Sequence, residues 1–231
     1  MPTVREVSYR ARLRVELPDR PGALSRVAGI IGECGGNVVS VDVQEVEGAL
    51  AVDELVVDLP DDVDGDTLRS RLDEDRAGIL LSIHGARPYS DMVLRAMQWT
   101  EALLESRQSE RSDMLASALA DLCSASGAWV ADSVTEARQF EAGRYALERG
   151  APVAHRTDSI PVGIAPDLGE GAWLLAVPDH ESEPLRVAFL ARPLRLRFTA
   201  TEIARVVALL RTCRTLDQQS GDPAFGFLTE V

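Results

Sequence analysis

Along the first third of the chain the apolar residues switch between two repeat lengths, and that switching constrains the fold more than any other feature. Ala11, Leu13, Val15 and Leu17 alternate with Arg10, Arg12, Arg14 and Glu16, the period of a strand with one buried face. Leu24, Val27, Ala28 and Ile31 then recur at helical spacing as far as Gly35-Gly36, where a helix readily stops. Val39, Val41 and Val43 alternate with Ser40, Asp42 and Gln44, and a turn at Glu47-Gly48 leads into the Val- and Leu-rich run from Leu50 to Leu59. Beyond Asp64-Gly65-Asp66, Leu68 and Leu72 mark a short helix, and Ile79, Leu81 and Ile83 a last strand. The order βαββαβ predicts a ferredoxin-like plait over residues 8–86, with four antiparallel strands and two helices on one face.

Ala-Arg-Pro-Tyr-Ser at 86–90 reads as a boundary. Val93, Ala96, Met97, Leu103 and Leu104 then mark one face of a helix, and the polar stretch Ser106 to Asp113 either continues or bends it. Leu115, Ala118, Leu119 and Leu122 resume the stripe. A strand is expected from Gly127, a helix from Phe140 to Arg149 ending at Gly150, and an extended segment at Pro152 to His155. Two apolar runs, Trp173 to Val177 and Leu185 to Ala191, flank the polar turn Asp179 to Glu183 as a hairpin. Thr199-Ala200-Thr201-Glu202 has capping-box spacing before a last helix. The fold class is therefore α+β, with a second domain over 90–215 and a tail at 216–231.

Charge narrows the partners. The formal net charge is −13, and every basic residue is an arginine. The acidity is shared between the two halves, so neither offers a phosphate-tracking surface and direct nucleic-acid binding is not expected. A lysine-free composition rich in Ala, Arg and Asp suggests a GC-rich bacterial genome. No run approaches the ~18 apolar residues of a membrane span, and the first residues lack a signal-peptide core, so a cytoplasmic location and no membrane partner are expected. Cys34, Cys123 and Cys213 lack metal or redox spacing and read as small buried apolar side chains.

The chemistry concentrates at Asp19-Arg20-Pro21-Gly22-Ala23-Leu24 and at Gly35-Gly36-Asn37-Val38. The amides of Gly22, Ala23 and Leu24 open a helix and could hold a carboxylate, and Gly22 lets a ligand approach the backbone. Asp19 stands at the mouth of the turn, where it could meet an ammonium group. Asn37 carries both a donor and an acceptor. These groups are expected to share one small volume suited to a zwitterion. A structural use is compatible with this: Asp19 caps the helix, Pro21 sets its first turn and Gly22 allows close packing.

With D-R-P-G-A-L at 19–24, the aliphatic helix and G-G-N-V-V-S-V at 35–41, the first domain resembles an ACT domain. The resemblance implies amino-acid binding, regulation of an attached or associated enzyme, and homodimers whose sheets join edge to edge. Ligand would then lie between one subunit's first turn and the other's second strand, which carries over Asp19, Gly22, Ala23, Leu24, Asn37 and Val38. Some members place a histidine at the end of the first strand; here it is Leu17, which counts against serine specificity in particular.

Residues 90–215 resemble a GAF domain through A-L-E-R-G-A-P-V at 146–153, A-W-L-L-A-V-P at 172–178, L-R-V-A-F-L-A-R-P at 185–193 and the apolar helix from Phe198 to Leu210. That family implies an antiparallel sheet holding a small-ligand pocket, with flanking helices that dimerise; a ligand in that cavity beside Trp129 and Trp173 is a third reading. Residues 131–145 are short for the usual elements, no cysteine stands where a tetrapyrrole would attach, and no cyclic-nucleotide signature is present, so a structural module is favoured.

No catalytic site is expected. His84, His155 and His180 each read as ordinary residues; His155 near Asp158 and Ser159 suggests a triad but lacks a G-x-S-x-G elbow. The acidic run Asp61 to Asp66 lacks the bidentate glutamate of a calcium loop. No metal site, P-loop or dinucleotide fingerprint appears, so no cofactor is implied. The leading expectation is an amino-acid-binding regulatory protein whose dimer-interface ligand is coupled to the GAF-like domain. The alternative is a ligand-free scaffold that dimerises and docks a partner enzyme.

Overall fold

A computed structural model describes residues 9–47, 49–85, 92–157, 171–194 and 196–220. The chain divides into two compact units, Met1–Asp91 and Met92–Val231.

The first unit runs β1 (Tyr9–Pro18), α1 (Ala23–Glu33), β2 (Asn37–Glu47), β3 (Leu50–Leu59), α2 (Gly65–Glu74) and β4 (Ile79–Gly85). The strands form one antiparallel sheet in the order β2-β3-β1-β4, so β2 and β4 are its edges. Alternation decides which face the helices cover. Ala11, Leu13, Val15 and Leu17 of β1 are buried together with Leu55, Val57 and Leu59 of β3. Against this row pack Val27, Ile30 and Ile31 of α1 and Leu68 and Leu72 of α2. Gly36 is fixed by close approach: a Cβ there would lie 2.8 Å from Leu59 Cδ2 and 3.1 Å from the Asp58 carbonyl. The acidic run that preceded α2 in the sequence serves as its cap, with Asp64 accepting from the Thr67 amide and hydroxyl, both at 2.8 Å.

The second unit contains α3 (Met92–Glu105), a 3-10 turn (Gln108–Glu110), α4 (Arg111–Leu122), β5 (Gly127–Ala131), α5 (Val134–Ala137), α6 (Glu141–Arg149), β6 (Val153–Thr157), β7 (Ala172–Asp179), β8 (Arg186–Pro193) and α7 (Ala200–Ser220). Its antiparallel sheet has the order β5-β8-β7-β6, which differs from that of the first unit. One face packs on α4 and α7 through Leu175, Val177, Ala188 and Leu190; the other carries Leu174, Ala176, Val187 and Phe189 with Ala142 and Ala146 of α6. The polar stretch after α3 breaks the helix rather than continuing it. The expected single face of α3 is also divided: Leu103 is buried, whereas Val93, Met97 and Leu104 are exposed. What α3 buries in addition is a charge, Arg95, paired with Asp121 at 2.7 Å.

The reciprocal capping box at α7 is present, with the Thr199 amide donating to Glu202 Oε2 at 2.8 Å and the Glu202 amide to Thr199 Oγ1 at 3.2 Å. Glu202 also accepts from the buried guanidinium of Arg192, through Nη1 at 3.0 Å and through Nη2. Removing the carboxylate leaves that cation buried without its counter-charge. Glu202→Ala is expected to destabilise the protein by about 3–5 kcal/mol, read as a lowered denaturant midpoint; a change within about 1 kcal/mol contradicts the pairing.

Candidate functional site

The chain leaves β1 through a turn whose chemistry is written in its sequence. The Asp19 amide donates to the Ala49 carbonyl at 2.8 Å, tying the turn to the start of β3. The Ala23 amide donates to the Arg20 carbonyl at 3.2 Å, closing a four-residue turn with Pro21 second and Gly22 third. Gly22 has φ 87° and ψ −8°, the third position of a type II turn, where a side chain is strained. The Gly22 carbonyl then accepts from the Arg26 amide at 3.1 Å and α1 begins.

Asp19 does not cap this helix; no side chain does. Of the three amides expected to face a ligand, that of Ala23 is already bonded inside the turn. Those of Gly22 and Leu24, and of Ser25 beyond them, have no acceptor among the described residues, as the first turn of a helix leaves them. Asp19 and Gly22 are exposed, Leu24 is half-buried and Ala23 is buried.

Asn37 and Val38 lie elsewhere. Asn37 opens β2 opposite Asp58 of β3, whereas the turn after β1 adjoins Leu50, the partner of Pro18. Leu50 and Asp58 stand eight residues apart in β3, about 27 Å at ~3.4 Å per residue. The expectation that helix start and asparagine face one small volume is therefore corrected for a single subunit. A helix connecting two strands carries the chain from one end of the sheet to the other. Asn37 is exposed, and Val38 packs half-buried against the core.

A charged residue that the motif reading missed sits at the turn's end of the sheet. Asp53 of β3 pairs with Val15 of β1 and Val43 of β2, and shares the helix-covered face with Ala51, Leu55 and Val57. It is 3% exposed, and its Oδ1 finds no donor among the described residues. Burial pushes its carboxyl above the usual carboxylate range, and the negative charges of Asp19 and Asp42 push it the same way. The signal was available: within Ala51-Val52-Asp53-Glu54-Leu55, Asp53 has the parity of the inward residues.

In the second unit Trp129 and Trp173 do not line one cavity among the described residues. Trp129 stacks on Phe189 with centroids 5.0 Å apart and packs against Phe140 on the α6 side. Trp173 packs on the opposite face of the sheet and donates its Nε1 to the Leu194 carbonyl at 2.9 Å. The two rings cannot line one pocket. His155 faces Glu141 at 3.3 Å, while Asp158 and Ser159 lie outside the described residues. His84 and His180 are exposed, and the three cysteines are buried and free, with the Cys213 thiol pushed up to about 11 chiefly by burial. Among the described residues no His, Cys, Asp and Glu group could hold a metal ion, and no helix is long and apolar enough to cross a membrane.

Two outcomes follow from the turn and the buried acid. Gly22→Ala meets no atom within 4 Å, so only backbone strain acts, and a loss of about 1 kcal/mol is expected in denaturant unfolding. Asp53 binds its proton more tightly folded than unfolded, so its contribution to stability falls as pH rises from the ordinary carboxylate range through its raised folded value. Asp53→Asn is therefore expected to raise the melting temperature at pH 7 and to gain less at pH 4; an equal effect at both contradicts the raised pKa.

Comparison with known proteins places the first unit. Residues 11–77 match the ACT domain family. A search of curated proteins gives no significant match. Among solved structures, the ligand-free regulatory subunit of aspartate kinase from Thermus thermophilus is 10% identical over 90% of this chain and 92% of its own, with a TM-score of 0.29. A formyltetrahydrofolate deformylase from Pseudomonas putida KT2440 is 11% identical over 91% and 96%, with a TM-score of 0.31. A putative glycine cleavage system transcriptional repressor is 10% identical over 90% and 92%, with a TM-score of 0.28. The match falls on the unit whose βαββαβ order and β2-β3-β1-β4 sheet are described above: residues 11–77 are similar to an ACT domain.

Proposed function

We propose that the protein is a cytoplasmic, homodimeric regulator that binds a free amino acid between two ACT domains. The observation that carries the reading is the separation of its two half-sites along an open strand. Unbonded first-turn amides lie at one end of the sheet and Asn37 at the other, with β2 as the edge. A two-fold axis through the middle of β2 sets two such strands antiparallel, and Asn37 of one protomer then approaches the partner's first turn. Val39, Val41 and Val43, between 40% and 54% exposed, give that edge the apolar surface a pairing would cover.

The amides of Gly22 and Leu24 receive the ligand's carboxylate at the positive end of α1, and the partner's Asn37 holds it from the other side. Ligand that binds the joined form better than the open one shifts the dimer, and through it the GAF-like second unit. In this reading the chain regulates and does not catalyse; its second unit is a structural module without a ligand of its own, whose core is filled by Trp129, Phe140 and Phe189.

Calorimetry with each of the twenty L-amino acids tests it directly. At least one is expected to bind with a stoichiometry tied to the dimer, Asn37→Ala to weaken it tenfold or more, and Val41→Lys to give a monomer that binds none. A folded dimer that responds to no amino acid at millimolar concentration contradicts the reading. One observation favours the scaffold alternative, a protein that docks a partner enzyme: the exposed Val93, Met97 and Leu104 on α3. A stoichiometric partner retained by an Asn37→Ala, Gly22→Ala variant decides for it.

A further inference from the structure

A buried carboxylate without a donor is an expensive thing to keep in a domain this small. Ionised, its Oδ1 has lost water without gaining a donor among the described residues. Within the first unit the inward row of β3 reads Ala51, Asp53, Leu55, Val57 and Leu59; Leu55, Val57 and Leu59 belong to the apolar core, and Ala51 is buried beyond Asp53. Other buried acids among the described residues have an arginine partner: Glu202 has Arg192, Asp179 has Arg214 and Glu54 has Arg12. Asp53 has neither an arginine nor a hydroxyl on Oδ1 among the described residues.

Its position gives the acid a use. Asp53 stands three residues from Leu50, so it lies ~10 Å along the strand from the turn that opens α1, on the face that α1 covers. The charge of Asp19, within that turn, acts on it directly. Across the sheet its neighbour on the same face is Val43, which is 54% exposed, so the carboxylate lies one strand in from an open edge. The unbonded amides of Gly22 and Leu24 attract an anion at this end of the sheet, and Asp53, on the same half of it, attracts a cation. Donors for an anion and an acceptor for a cation at one end of a sheet suit a molecule that carries both charges, as an α-amino acid does.

We infer that Asp53 is the acceptor for the ligand's ammonium group, so that the site selects metabolites with a free, protonated amine next to a carboxylate and rejects those whose amine is acylated. The inference rests on the proposed amino-acid function and adds to it a residue that neither of the sequence motifs contains. Asp19, exposed at the turn, contributes long-range attraction rather than the contact, because water screens it. Ligand binding then brings to Asp53 the counter-charge that the fold withholds, and binding and stability become linked through one side chain.

The experiment compares full-length wild type with Asp53→Asn by calorimetry and thermal shift, using the twenty L-amino acids and the N-acetyl derivative of whichever binds. Wild type is expected to bind the free amino acid and at least a hundredfold more weakly its N-acetyl form. Asp53→Asn is expected to bind the free amino acid at least tenfold more weakly while melting higher than wild type without ligand. Equal affinity of wild type and Asp53→Asn, or of the free and acetylated ligand for wild type, overturns the assignment of Asp53 and leaves the amino-acid function standing. If wild type binds none of the twenty, the function itself fails and the assignment with it. Should Asp53→Asn not fold, the acetylation comparison on wild type alone decides.

Discussion

Everything proposed for this protein depends on how a helix joins two strands of one sheet. Strand β1 delivers the chain to one end, and α1, eleven residues and ~16 Å long, returns it to the other before β2 begins. The helix start and the residue after the glycine pair are thereby held apart, rigidly, by the packing of Val27, Ile30 and Ile31 on the sheet. No loop movement within one subunit brings Gly22 and Asn37 together. In the proposed dimer these two groups, at opposite ends of the sheet, are complementary across a second copy, and a ligand between them would tie binding to assembly.

The turn itself is unstrained: glycine takes the left-handed conformation of Gly22 freely, and the first turn of a helix leaves amides such as those of Gly22, Leu24 and Ser25 without intrahelical partners. Asp53 is the local conflict at this end of the sheet, buried with its Oδ1 unbonded in a domain whose alternation, close approach at Gly36 and Asp64 cap all agree with the fold.

How much of this was legible in the sequence differs by scale. Alternation in β1 and β3 and the helical spacing of α1 depend on neighbours within a few residues, and they gave the βαββαβ order. The capping box at Thr199 and the stop at Gly150 were equally local. What failed was longer-range. Turn chemistry alone suggests one volume for Gly22 and Asn37, which a single subunit does not provide; the ACT resemblance takes them from different subunits. Helical spacing puts Val93, Ala96, Met97, Leu103 and Leu104 on one face, but the helix stops before Ser106, and α3 buries Leu103 and Arg95 while Val93, Met97 and Leu104 stay exposed. Trp129 and Trp173 were grouped by type, and the sheet sends them to opposite faces. Asp53 is readable from the parity of β3 alone, since its inward position follows from alternation and from no turn motif.

The most direct test of the shared site mixes two variants. Protomers carrying Asn37→Ala are combined with protomers carrying Asp53→Asn, and ligand stoichiometry is measured by calorimetry on the isolated heterodimer. If one site draws Asp53 and the first-turn amides from one chain and Asn37 from the other, each heterodimer keeps one intact site and loses both contributions at the second, so half of the wild-type stoichiometry returns at wild-type affinity. If the residues act within the same chain, each site lacks one group, and no wild-type-affinity binding is recovered.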